Sequence, residues 1–287
     1  MKRSERNGFL FALPYAIFVL AFVAYPLIFS FILIFHRWNI VTPMEWVGPK
    51  NFERMAADPL FYKAIVNTLV FLCIHIPLQI VIALGFAVIL NSKIRMRGAF
   101  RAIFFLPVVV SGVVVTILWQ QMYSFDDGLL NNLLAMFGVT KVPWIIDARF
   151  AMPSVAIMAT WKNVGIYIIL FLVGLQNVPG ELYEAANLDG ANRRQQFFRI
   201  TLPMLNPTII VVIVLSTIGG FSLFIEPYVL TGGGPMQSTL SAFLYIYNQA
   251  FYFNHMGYAA TLAFAFAFFI LLVVVLQRKF IESEPMS

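Results

Sequence analysis

The chain has 287 residues and a formal net charge of +6; 61% of its residues are hydrophobic and 11% charged, against roughly 25% charged in an ordinary soluble domain. That composition excludes a water-soluble globular fold. The basic residues are scattered over short polar segments, which excludes a nucleic-acid-binding surface as the purpose of the charge.

Runs without Asp, Glu, Lys or Arg cover residues 7–35, 64–92, 102–125, 163–180, 200–225 and 227–277. A hydrocarbon core of about 30 Å needs about 20 apolar residues in a helix. Six spans are therefore expected, near residues 9–35, 64–90, 102–121, 152–176, 204–229 and 257–277. The fourth needs the apolar residues before Lys162 to complete a crossing.

The opening MKRSERNG resembles the start of a signal peptide, but the run behind it lacks a small-residue cleavage site and is expected to stay as a span. The outer loop 36–62 carries Pro43, Pro49 and Pro59 and is expected to be irregular apart from a short helix. The second span holds Cys73, the single cysteine, so no disulfide framework and no cysteine-based metal site is expected. Pro77, Pro107 and Pro207 mark expected kinks.

Between the third and fourth spans Leu129, Leu130, Leu133, Leu134 and Phe137 recur at helical spacing, which predicts a short amphipathic helix. After the fifth span TGGGPMQS is broken by glycines and a proline. The apolar stretch 240–253 behind it is too short to cross, and an external interfacial segment is expected.

Orientation follows from the basic residues. With the N-terminus in the cytoplasm, twelve of them fall inside (Lys2, Arg3, Arg6, Lys93, Arg95, Arg97, Arg101, Arg193, Arg194, Arg199, Arg278, Lys279) and six outside (Arg37, Lys50, Arg54, Lys63, Lys141, Arg149). This obeys the positive-inside rule and puts both termini in the cytoplasm. The expected organisation is a cytoplasmic segment 1–8 and one transmembrane domain 9–287.

The longest polar passage, ELYEAANLDGANRRQQFFRITLP, lies in an inner loop 178–203. Pro179 and Gly180 end the fourth span, Glu181 to Leu188 are good helix formers, and Asp189–Gly190 supply a C-terminal turn. Asn192 then caps a second short helix. Adjacent Ala185 and Ala186 thin the first helix so that another surface can approach closely. An element this small is expected to be a knob for a cytoplasmic partner.

Within that loop Glu184, Ala185, Ala186, Gly190, Ile200, Leu202 and Pro203 stand at the spacing of the EAA motif, and the chain resembles the permease subunits of ABC importers. LPYAIFVLAFVAYPL, RAIFFLPVVVS, the passage from Trp161 to Ala191 and VLTGGGPMQSTLSAFLYIY extend the resemblance over most of the chain, to the carbohydrate-uptake branch and its first-type, maltose-permease-like subunit. The maltose permease's extra N-terminal spans and large external insertion are missing. The resemblance implies an all-α membrane protein with six transmembrane helices in the type I ABC importer permease fold. It implies that Glu184, Ala185, Ala186, Asp189 and Gly190 form a coupling knob for an ATPase, with Ile200, Leu202 and Pro203 as its return into the membrane.

It implies further a second homologous permease subunit, two ATP-binding subunits that hold ATP and Mg, and an extracellular or periplasmic sugar-binding protein. These would assemble in the lipid of a bacterial or archaeal cytoplasmic membrane. The chain itself has no G-x-x-x-x-G-K-[ST] sequence, nor one Gly-Lys pair, so no enzyme activity and no cofactor of its own is expected. His36, His75 and His255 lie in separate segments, which argues against a metal site.

A neutral sugar needs flat aromatic surfaces and directional hydrogen-bonding groups. In the third, fourth and fifth spans, which line the pathway in similar permeases, the candidates are Trp119, Gln120, Trp161, Lys162, Asn163, Tyr167, Ser216, Gly220, Ser222 and Glu226. Lys162 and Glu226 are the two ionisable residues expected within spans, functional candidates by that fact, against snorkelling or salt bridges to a partner as the plain alternative. The alternative functions are a permease for another solute such as glycerol phosphate, or an ion-coupled secondary transporter.

Overall fold

The computed structural model describes residues 3–91 and 97–282. Lys2, Lys93 and Arg95, counted above for orientation, lie outside the described residues, as does the start of the expected 1–8 segment. In chain order the elements are α1 (Arg3–Val19), a π-helical stretch Leu20–Ala24, α2 (Tyr25–Leu33), β1 (His36–Arg37), β2 (Glu45–Trp46), α3 (Lys50–Ala56), α4 (Pro59–Asn91), α5 (Arg97–Val109), α6 (Gly112–Met122) and α7 (Leu129–Met136). There follow α8 (Ala148–Gln176), α9 (Gly180–Leu188), α10 (Arg193–Gln196), a π-helical stretch Phe197–Thr201, α11 (Leu202–Met204), α12 (Asn206–Phe221), α13 (Ile225–Leu230), α14 (Ala242–Tyr247), a π-helical stretch Asn248–Tyr252 and α15 (Met256–Glu282).

Four of these helical stretches are long and apolar enough to cross a membrane, and six if each of two bent pairs makes one crossing. The bent pairs fall in the two spans where Pro107 and Pro207 mark expected kinks. Residues 98–109 and 112–122 of the third meet at 97°, and residues 193–204 and 206–221 at 63°. The proline at 207 stands at the start of α12, where its missing N–H costs nothing. Pro77, an expected kink, lies inside the unbroken helix α4.

By its contacts the chain falls into two compact units. The smaller comprises residues 1–62 and 245–269. In it the ends of α2 and the start of α15 meet at backbone distance: a side chain at Gly257 would strike the His36 carbonyl, and Thr261 Oγ1 donates to Ile34 O at 3.3 Å. Buried Asn51 donates to the carbonyls of Ile34 and His36 at 2.8 and 3.0 Å, fixing α3 beneath the β1–β2 hairpin.

Asp58 caps α4 by accepting from the amides of Leu60 and Phe61, while its other oxygen accepts from the hydroxyls of Tyr245 and Tyr258 at 2.5 Å each. Burial works against its ionisation, but these hydrogen bonds outweigh it and hold its pKa below the usual 3.8. A carboxylate with a depressed pKa lends stability that is fully present above the unfolded value and is lost as pH falls through the folded one. Asp58→Asn should therefore lower the thermal stability of the purified protein at pH 7, with the gap closing below about pH 4 as the native carboxyl takes up its own proton. A gap that stays constant down to pH 3 would contradict this role.

The larger unit holds residues 63–244 and 270–287. Its core runs through Ala83, Ala87, Ile168, Phe171, Leu172, Leu205 and Val212, so α4, α8 and α12 share one apolar centre. Small residues set the helix spacing, as membrane interiors favour. A side chain at Gly165 would strike the Phe104 carbonyl of α5, and one at Gly174 would meet Thr208 Oγ1 at 2.5 Å.

The expected amphipathic helix is α7, and its fully buried Asn131 ties the loop behind it. Asn131 donates to the carbonyls of Phe125 and Val142 and accepts from Val142 N and Trp144 Nε1, all within 3.1 Å. The TGGGPMQS passage is a turn with positive φ at Met236 and Gln237. Lys63 and Asn67 of α4 hold it by donating to the carbonyls of Met236, Gln237 and Leu240.

Candidate transport cavity and coupling loop

Within the larger unit α4, α8, α12 and α13 surround a cavity of about 280 Å³, at the small end of ligand pockets. Seven of the ten expected pathway residues line it: Lys162, Asn163 and Tyr167 from α8, Ser216, Gly220 and Ser222 from α12 and its end, and Glu226 from α13. A side chain at Gly220 would run into Leu72, so the missing Cβ lets α12 lie close on α4. Asn163 spends one amide hydrogen on Ala159 O at 2.9 Å, and Ser216 Oγ accepts from Gln79 Nε2 at 3.2 Å.

The two ionisable residues of the spans meet here. Lys162 Nζ lies 3.5 Å from Glu226 Oε1, and the side chains are only 14% and 12% exposed. The break at 110–111 makes room: a side chain at Gly112 would stand 2.7 Å from Lys162 Nζ and 3.3 Å from Ile225 Cδ1. A pair so withdrawn from water gains Coulomb energy that the lost hydration largely offsets, so its net contribution is small while removal of one partner is costly.

Three expected residues are elsewhere. Trp119 and Trp161 pack against each other at 5.5 Å and face a separate apolar recess of about 530 Å³ with Leu78, Phe86 and Pro107. Gln120 donates to the carbonyls of Val229 and Leu230 at 3.3 and 3.5 Å, joining α6 to α13. The aromatic surfaces of the cavity come instead from Tyr167, Phe71 and His75. His75 stacks on Phe71 with centroids 4.9 Å apart and shares a 2.8 Å hydrogen bond with Thr160 Oγ1. Sequence reasoning set the second span aside; a lone histidine four residues from a phenylalanine inside an apolar helix was the available signal. Among the described residues no group of three or more His, Cys, Asp or Glu could hold a metal ion.

The polar loop 178–203 folds as α9, a turn and α10, as its composition predicts. Gly190 takes φ +75°, the left-handed conformation that glycine adopts without penalty. Asn192 and Gln195 cap α10 reciprocally. Two further bonds brace the loop against itself: Gln196 Nε2 donates to Asn187 Oδ1 at 2.7 Å, and Tyr183 and Thr201 hydroxyls lie 2.9 Å apart. The result is a fixed projection with Glu184, Ala185, Asp189 and Gly190 exposed. Leu188, which the motif leaves unspecified, is 90% exposed at its end. Ile200 lies in the π-helical stretch and Leu202 and Pro203 in α11, half-buried on the way to the 63° bend into α12.

Apolar helices able to cross a bilayer, one unit of which encloses a polar cavity and projects a braced polar loop, define a helical membrane transport protein. The chain belongs to the family of inner membrane components of binding-protein-dependent transport systems, whose profile matches residues 79–282. It is 37% identical over 277 residues to the lactose transport system permease protein LacF of Rhizobium radiobacter, covering 94% of this chain and 92% of that one.

Among solved structures it is similar to a chain of a bacterial ABC transporter involved in the import of the acidic polysaccharide alginate, with a TM-score of 0.83, 25% identity, and 98% and 97% of the two chains covered. A second structure, of a bacterial alginate ABC transporter in complex with an alginate pentasaccharide-bound periplasmic protein, matches with a TM-score of 0.82 and 25% identity over 95% and 93% of the chains.

Proposed function

We propose that this chain is the membrane-spanning permease subunit of an ATP-driven importer for a sugar or oligosaccharide. One observation carries the reading: a single compact unit holds both a cavity of hydroxyl, amide and aromatic groups and a braced, exposed loop with the EAA spacing. The similarity to a lactose permease and to an alginate importer supports the substrate class. The chain has no phosphate-binding Gly-Lys sequence, so ATP and Mg are held by separate subunits, two in number. A second, homologous permease completes the pathway and an external binding protein delivers the sugar.

Glu184, Ala185, Ala186, Asp189 and Gly190 dock on the ATPase with both termini on the same cytoplasmic side. Ile200, Leu202 and Pro203 carry the motion into α12 across the bend. The brace between Tyr183 and Thr201 makes α9 and the returning segment move as one piece. ATP binding draws the two docked loops together and turns the cavity outward; hydrolysis releases it inward. ATP and the loaded binding protein move this equilibrium only by their differential affinity for the two states.

The assembly is testable by affinity purification of the tagged chain from its own membranes. Two copies of an ATPase and one copy of a second permease should accompany it. A chain that purifies alone and still drives sugar uptake would overturn the proposal in favour of a secondary transporter.

A further inference from the structure

We infer that Glu226 cancels the charge of Lys162, so that this chain's lining of the cavity is electrically neutral and passes uncharged sugars while rejecting carboxylated ones. The inference rests on the proposed function and narrows its substrate class. Lys162 and Glu226 are the cavity's two ion-paired groups; its other polar lining is hydroxyl, amide and a histidine hydrogen-bonded to Thr160. The two charges come from α8 and α13, 64 positions apart, and the missing side chain at Gly112 keeps the ammonium's place open. An uncharged sugar can hydrogen-bond to either group without separating them. A carboxylated sugar can use Lys162 only by displacing Glu226, which is then left without a counter-charge and largely out of water. Such a sugar is disfavoured by about a hundredfold. The alginate importer shows that this fold can serve an acidic polysaccharide, so charge is a point on which its relatives can differ.

The cavity's potential can be read without sugar, ATP or binding protein, so the test stands apart from the proposed function. In the assembled complex, with Cys73→Ser removing the native thiol, Gly219→Cys places a reporter in the cavity lining where an added Cβ meets nothing within 4 Å. Ser222→Cys is the second reporter. Methanethiosulfonates bearing a sulfonate or a trimethylammonium group are compared as a ratio of labelling rates, which divides out access and conformation and leaves the local potential.

In the native pair the anionic-to-cationic ratio should lie within about threefold of that for a free thiol. Glu226→Gln should raise it at least about tenfold, Lys162→Gln should lower it comparably, and the double variant should restore it. A uronic-acid trisaccharide should slow labelling in Glu226→Gln and leave the native form unaffected. The inference is overturned if Glu226→Gln leaves the ratio unchanged, if the native ratio already departs as far as a single variant's, if the trisaccharide protects both forms equally, or if neither reporter labels at all.

Discussion

Glu184→Lys is expected to abolish sugar uptake while the chain still inserts and folds. Glu184 is exposed on α9 and takes part in no ion pair among the described residues, and lysine is as good a helix former as glutamate. The braces of the loop run through Tyr183, Asn187, Asn192, Gln195 and Gln196 instead. Loss of uptake with insertion intact therefore reports the partner's surface. Leu188→Asp provides an independent check: burying a leucine side chain contributes about 1.5–3 kcal/mol, so the ATPase should be retained tenfold to a hundredfold less well on purification. Unchanged uptake and unchanged retention in both variants would show that α9 is a solvated turn with no docking role.

Lys162→Met is expected to destabilise the folded protein by about 3 kcal/mol, because it leaves Glu226 partnerless where only 12% of its side chain meets solvent. The same logic predicts that Lys162→Met combined with Glu226→Met recovers most of the loss, since two apolar side chains leave nothing unpaired. Heating the detergent-purified protein and scoring what stays folded gives all four corners of the cycle. Additive losses would mean that the two side chains do not interact in the membrane.

The sequence made the helical class legible for a simple reason: a bilayer demands about 20 apolar residues per crossing, and counting them needs no knowledge of direction. The same count is blind to where a span bends. Residues 102–121 carry no charge on either side of Ser111, yet the helix turns by 97° there, and the missing side chain at Gly112 just after the turn leaves the space for Lys162. Pro107, expected to mark a kink, lies inside α5, two residues before the helix ends.

The polar loop was readable almost to the residue because its signals are local: Gly190 for positive φ, Asn192 and Gln195 for a cap. The cavity was readable only in part because its partners are not local. Depth picked out Lys162 and Glu226 separately, but no spacing rule connects residues 64 apart. Depth also could not separate a tryptophan facing the cavity from one facing an apolar recess, so Trp119 and Trp161 were grouped with Tyr167.

The central claim is that this chain couples sugar passage to ATP hydrolysis on another subunit. Its most direct test is the ATPase rate of the complex purified with its partners, scanned over a panel of sugars with the cognate binding protein present. The account predicts stimulation by one uncharged sugar or its oligomers, lost in Glu184→Lys. A fully assembled complex whose hydrolysis responds to no sugar, or a response that survives Glu184→Lys, would contradict it.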